Sequence, residues 1–110
     1  MKRGTIVVVA ARRRKHWHTG GPHLVVQSDL FNPTHASVTV CPITSDCVDA
    51  PLFRLPLPPG TRTGLHEVSQ VMIDKILSIP RAAIGNEIGE CDGHELEDVY
   101  DGLRRWLELG

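Results

Sequence analysis

Short β-branched runs come first along this chain, and one helical repeat comes last. Thr5 to Ala10 is short and rich in valine, the pattern of a buried strand. Gly20-Gly21-Pro22 marks a turn, after which Leu24 to Gln27 continues as strand. Ala36 to Ile43 alternates, with Ser37, Thr39 and Cys41 on one face and Val38, Val40 and Pro42 on the other. Because proline cannot donate to a ladder, Pro42 is expected at an edge or a bulge near the strand's end. Pro51 to Leu57, bracketed by prolines, predicts a short edge strand, and Pro58 to Gly64 a loop. Glu67 to Ile73 predicts a strand running into Asp74. Asp92 followed by Glu95 has the spacing of a capping box, and Leu96, Val99, Leu103 and Trp106 then recur at helical spacing. Together these elements predict a mostly β fold with a C-terminal helix, a small and largely antiparallel barrel or curled sheet with the helix packed on it.

With 110 residues and 41% hydrophobic content, residues 1–110 are expected to form a single domain, of a size that could also be one half of a dimer. Ile6 to Ala11 is too short for a membrane span and is followed directly by Arg12, Arg13 and Arg14, so a cytoplasmic location is expected. Three cysteines without Cys-x-x-Cys spacing argue for reduced thiols rather than a disulfide framework or a zinc site. The net charge of −1 hides an uneven distribution. Lys2, Arg3, Arg12, Arg13, Arg14 and Lys15 place half of the 12 basic residues near the start, whereas Glu87 to Glu108 is acidic. That split predicts a basic surface for a polyanion and an acidic face elsewhere. The prolines from Pro51 to Pro59 also permit a polyproline ligand, but Leu52, Phe53, Leu55 and Leu57 favour edge strand and loop.

The candidate chemistry lies in Leu24 to Asp46. Its second strand ends on Thr44, Ser45 and Asp46, a hydroxyl pair at a strand mouth that could hold a phosphodiester, rimmed by Ser28, Asn32 and His35.

The opening MKRG, the run LVVQSDLFN, the strand ending PITS, the segment SQVMIDKILSIPR and the C-terminal helix together resemble the MazF/PemK toxin family, which shares its fold with CcdB. The resemblance covers nearly the whole chain. It implies an SH3-like barrel, a homodimer, and a metal-independent, sequence-specific endoribonuclease that cuts single-stranded RNA with no cofactor. It also implies a cognate antitoxin that neutralises the toxin by laying a segment over the same groove.

Cleaving RNA without metal uses the ribose 2′-hydroxyl as nucleophile. The protein must then supply a base, an acid for the leaving oxygen, and charge or donors for the phosphorane. Thr44 resembles the family's hydroxyl at the end of this strand and would stabilise the scissile phosphate; the alternative is a strand-end threonine bonded to its own backbone. Ser45 is a second donor. The family's Arg-Pro pair reads Gly21-Pro22-His23 here, so Pro22 is present and the arginine is not. In the basic segment before it, His16 or His18 could act as base or acid, Arg14 or Lys15 could face the phosphate, and Trp17 could stack a base. Alternatively this segment only binds RNA, or nothing. A pair of compensating frame changes between Ala11 and Leu24 would also explain why the resemblance lapses there and then resumes, and the coding DNA tests that.

Arg62 and Lys75 are candidate phosphate contacts on the groove rim, with Arg81 exposed at a turn. Gln27, Ser28 and Asp29 could read base edges or cap a loop. Asp74 resembles an acidic position that helps catalysis in some relatives, or else it orders the adjoining loop. His35 and His66 read as surface residues, and Trp106 as core or dimer packing. Outside the nuclease class stand a non-catalytic RNA- or antitoxin-binding protein on the same fold, a gyrase poison like CcdB, and a plain SH3-like interaction module.

Overall fold

A computed structural model describes residues 1–10 and 20–110. Among these residues are seven strands: β1 (Thr5–Val9), β2 (Gly21–Val25), β3 (Ser37–Thr44), β4 (Arg54–Leu57), β5 (Ser69–Met72), β6 (Leu77–Pro80) and β7 (Ile84–Glu90). One helix follows, α1 (Gly93–Leu107). All pairings are antiparallel, in the order β4-β5-β3-β2-β1-β7, with β6 also on β3.

The eight-residue β3 organises the sheet by changing partner along its length. Its first half pairs with β6, Ser37 opposite Pro80 through Val40 opposite Leu77, and its end pairs with β5, Ile43 opposite Val71 and Thr44 opposite Gln70. Pro42 falls in the gap between the two partners, where a missing N–H breaks no ladder on that side. The expected edge position is therefore corrected. Pro42 is buried in the central strand, opposite His23 of β2. By contrast, β4 is an edge strand that pairs only with β5, as its prolines require.

Alternation along the central strands feeds two apolar clusters on opposite faces. Ile6, Leu24, Cys41 and Ile43 pack with Leu55, Val71 and Val99, while Val7, Val25, Val38 and Val40 pack with Ile79. Burial of this kind pushes the Cys41 thiol up to about 12, so it serves as a small apolar group and not as a nucleophile. Helix α1 begins as its sequence demands. The Asp92 carboxylate accepts from the Glu95 N–H at 2.8 Å, and Glu95 accepts from the Asp92 N–H at 2.9 Å. Val99 seats the helix on the core, and Trp106 stays half-exposed with its ring tilted against Phe53 at 5.7 Å.

Asp74 receives both arms of the Arg54 guanidinium, at 2.8 and 3.1 Å, and their side chains are only 17% and 13% exposed. This fork ties the short 3-10 turn Ile73–Lys75 to β4, the ordering role among the two readings of Asp74. Asp74→Ala leaves the guanidinium half-buried without its acceptor and is expected to lower stability by roughly 2–4 kcal/mol. A thermal melt reads this as a fall in Tm on the order of 10 °C. The Arg54 hydrogen bonds hold the Asp74 carboxyl below its ordinary value. Its stabilisation is therefore complete above about pH 4, the unfolded value, and disappears as pH falls through the lower folded value. The gap in Tm between wild type and variant should close over that acid range, and a gap independent of pH would contradict the pairing.

Candidate active site

The end of β3 opens into a cleft of about 570 Å³. One wall is β3 itself, through Pro42, Ile43, Thr44 and Ser45, and a second is Gly20, Pro22 and His23 at the start of β2. The third is the connection from β4 into β5, through Gly64, Leu65, His66, Glu67 and Ser69. Strand register explains the meeting. His23 lies opposite Pro42, so continuing the same antiparallel pairing brings Pro22 and Gly21 beside Ile43 and Thr44. On the other side Thr44 lies opposite Gln70, which brings Ser69 alongside Ser45.

Thr44 is half-buried, and its Oγ1 accepts the Asp46 N–H at 3.0 Å. That backbone contact, anticipated as the plain structural reading, occupies an acceptor site and leaves the hydroxyl proton available to donate. The turn after Thr44 is fixed from across the sheet. Gln70 Oε1 accepts the Val48 N–H at 3.0 Å, and Gln70 Nε2 donates to the Val48 carbonyl at 2.8 Å. Gln70 thus imitates a strand partner and holds the turn in place. His23 is buried, with Nδ1 at 2.9 Å from the Gly21 carbonyl. Gly21 has φ +108°, and no described residue lies within 4 Å of where a Cβ would stand, so a larger residue meets none of them but strains the backbone.

The third wall is seated on β7 by two facing glycines. A Cβ on Gly64 would overlap the Ile88 carbonyl, and one on Gly89 would overlap the Thr63 carbonyl. Arg62 locks the same loop from outside. Its guanidinium forks onto Glu95 at 2.7 and 2.9 Å and reaches the Glu90 carbonyl at 3.1 Å, while its own carbonyl accepts the Glu90 N–H at 2.9 Å.

The residues singled out in the sequence divide sharply by place. Thr44 and Ser45 line the cleft; Gln27, Ser28, Arg62, Lys75 and Arg81 do not. Gln27 accepts the Thr39 N–H at 3.1 Å and donates to Asn32 and Ser37, and Ser28 Oγ accepts the Leu30 N–H at 3.2 Å. Arg81 donates to the His35 carbonyl at 2.8 Å and to that of Asn32, clasping the loop between β2 and β3. Lys75 is exposed on its 3-10 turn. Arg14, Lys15, His16, Trp17 and His18 lie outside the described residues. The expected rim of Ser28, Asn32 and His35 is corrected, since these precede β3 and Thr44 ends it, seven residues or about 23 Å away along the strand. Sequence reasoning had left His66 on the surface and said nothing of Gln70. No local signal marks either, because only the pairing of β5 with β3 sets Gln70 opposite Thr44 and carries His66 to the same cleft. Among the described residues, no set of three His, Cys, Asp or Glu side chains is arranged to hold a metal ion. Nor is any helix among them long and apolar enough to cross a membrane.

The family model described as PemK-like, MazF-like toxin of type II toxin-antitoxin system matches residues 2–107. The chain belongs to this family. It is 44% identical over 91 residues to a protein named probable endoribonuclease MazF from Mycolicibacterium smegmatis, covering 81% of this chain and 80% of that one. The fold is shared with an endoribonuclease solved in complex with its cognate antitoxin from a mycobacterial species, at TM-score 0.81 and 19% identity over 100% of this chain and 97% of that one. It is shared as well with a MazE-MazF structure from Deinococcus radiodurans, at TM-score 0.80 and 24% identity over 100% and 97% of the two chains. The MazF fold predicted from the sequence is thus the fold found, with Thr44 at the mouth of its central strand.

Proposed function

We propose that this chain is the toxin of a toxin–antitoxin pair, a metal-independent, sequence-specific endoribonuclease that cleaves single-stranded RNA by attack of the ribose 2′-hydroxyl. The observation that carries the reading is the cleft at the end of β3, where Thr44 lines a space large enough for a phosphodiester and its hydroxyl, which accepts the Asp46 N–H, keeps a proton to donate. Thr44 donates to a non-bridging oxygen as negative charge builds on the phosphorane, with Ser45 as the second donor. Cationic charge comes from the basic segment, which in sequence joins Val8 to Gly20, both of them cleft-lining residues. In that role Arg14 or Lys15 would neutralise the phosphate, Trp17 would stack a base, and His16 or His18 would act as base or acid. The protein works as a homodimer, and its antitoxin lays a segment over the same groove. Incubation with a long RNA in the presence of EDTA is the test. Fragments ending in a 2′,3′-cyclic phosphate are expected, and RNA left intact would overturn the proposal.

One observation favours a second reading, a non-catalytic protein that captures RNA or antitoxin on the same fold. Among the described residues lining the cleft, none is lysine or arginine. Gly21→Arg separates the two. Under the enzyme reading a guanidinium beside Thr44 raises cleavage by at least about tenfold, even as the strained backbone at φ +108° lowers Tm. Under the binding reading cleavage stays absent, and antitoxin capture is the same in wild type and Thr44→Ala.

A further inference from the structure

We infer that His66 is a catalytic residue of this cleft, the base that takes the proton from the attacking 2′-hydroxyl. The inference rests on the endoribonuclease reading above and adds a group to it. Among the described residues that line the cleft, the titratable side chains are His23, His66 and Glu67. His23 is buried, its ring held at the Gly21 carbonyl, so a strand of RNA does not reach it. Glu67 is exposed on the rim, and as a carboxylate it opposes a phosphate brought close to it. That leaves His66 as the solvent-accessible imidazole facing the cleft that holds Thr44 and Ser45.

Two further features place it where a substrate passes. A second hollow, of about 560 Å³ and lined by Pro59, Gly60 and Thr61, shares Gly64, Leu65 and His66 with the cleft. An extended strand lying across both hollows therefore runs over the His66 ring. The ring is also carried on an anchored loop: Gly64 abuts β7, Arg62 is forked onto Glu95, and the Gly64 N–H donates to the Gly60 carbonyl at 2.9 Å. Rigid support of this kind is what acid–base catalysis requires of its proton acceptor.

In the step, neutral His66 accepts the 2′-hydroxyl proton while that oxygen bonds to phosphorus and the bond from phosphorus to the 5′-oxygen breaks. The departing oxygen takes a proton from the general acid of the reading above, which regains one from solvent, and the imidazolium returns its proton to solvent. The products are a 2′,3′-cyclic phosphate and a 5′-hydroxyl, with no change in oxidation state.

The test compares wild type with His66→Gln on one single-stranded RNA from about pH 5 to 9. Around the imidazole the charged and titratable groups of the cleft are Glu67 and His23, the walls from β1, β3, β5 and β7 contributing none among their described lining residues. The variant is expected to lose about 10²- to 10³-fold in the rate of cleavage, and its dependence of rate on pH should differ from that of wild type. Its Tm should be unchanged, because the ring is exposed. A variant with wild-type rate and pH profile would overturn the role of His66 alone. A wild type that leaves RNA uncut would overturn the nuclease reading and this inference together.

Discussion

Gly64→Ala is expected to lower stability by roughly 2–5 kcal/mol, a large effect for a single added methyl group. Two costs add at one position. Gly64 has φ +72°, a left-handed conformation that costs an L-residue about 1–2 kcal/mol, and the new Cβ would overlap the Ile88 carbonyl. Backbone cannot swing aside as a long side chain can, so the loop must lift from β7 or β7 must bend. Lifting the loop moves His66 and Glu67 away from Thr44, so the loss reaches activity as well as folding. Thermal melts should show Tm falling on the order of 10–20 °C, with a fall in RNA cleavage measured well below the new Tm. Gly93→Ala is the control. Its Cβ meets nothing, and its position in the first turn of α1 tolerates alanine, so Tm should hold or rise slightly. If Gly64→Ala melted like Gly93→Ala, the loop would not be seated on β7 as described.

Thr44→Ala carries the largest expected effect on chemistry. Loss of one donor to a developing phosphorane should reduce kcat/KM for RNA by about 10²- to 10³-fold. Folding should hardly change. The Asp46 N–H released by the substitution lies on an exposed residue where water replaces the hydroxyl, so the stability cost is about 0.5–1 kcal/mol. Thr44→Ser keeps the hydroxyl and should retain most of the activity, which distinguishes loss of a donor from loss of packing. Expression in growing cells gives the same comparison, with arrest by wild type and Thr44→Ser and none by Thr44→Ala. Equal cleavage by all three would remove Thr44 from the site.

Much of the fold was legible in the sequence because local pattern and long-range packing agree there. The valines of β1, the alternation of β3, the prolines of β4 and the Asp92–Glu95 cap of α1 each state their own conformation. Neither β6 nor β7 was legible. β7 reads IGNEIGE, with three exposed polar or glycine positions in succession, because it is an edge strand bonded to β1 across two register shifts. An edge strand with a solvated face carries little apolar signal. Pro42 misled for a related reason. A proline inside a central strand is excluded only if both neighbours need its N–H, and β3 changes partner at that residue.

The site was legible only in part. Thr44 and Ser45 could be named because strand-end hydroxyls stand out in a sequence and resembled a known pattern. Arg62, Arg81 and Gln27 carry equally suggestive side chains, yet their partners lie up to 49 residues away and only the fold reveals them. His66 shows the converse. Nothing in its neighbourhood marks it, and it lines the same cleft as Thr44 because β5 pairs with β3 and two glycines seat its loop on β7.

The most direct test of the account is a cleavage assay on two otherwise identical single-stranded substrates, one all RNA and one with 2′-deoxyribose at every position, both in excess EDTA. The RNA is expected to be cut to fragments bearing 2′,3′-cyclic phosphate and 5′-hydroxyl ends, while the deoxy strand stays whole. Cutting of the deoxy strand, 5′-phosphate ends, or loss of all cleavage in EDTA would contradict it.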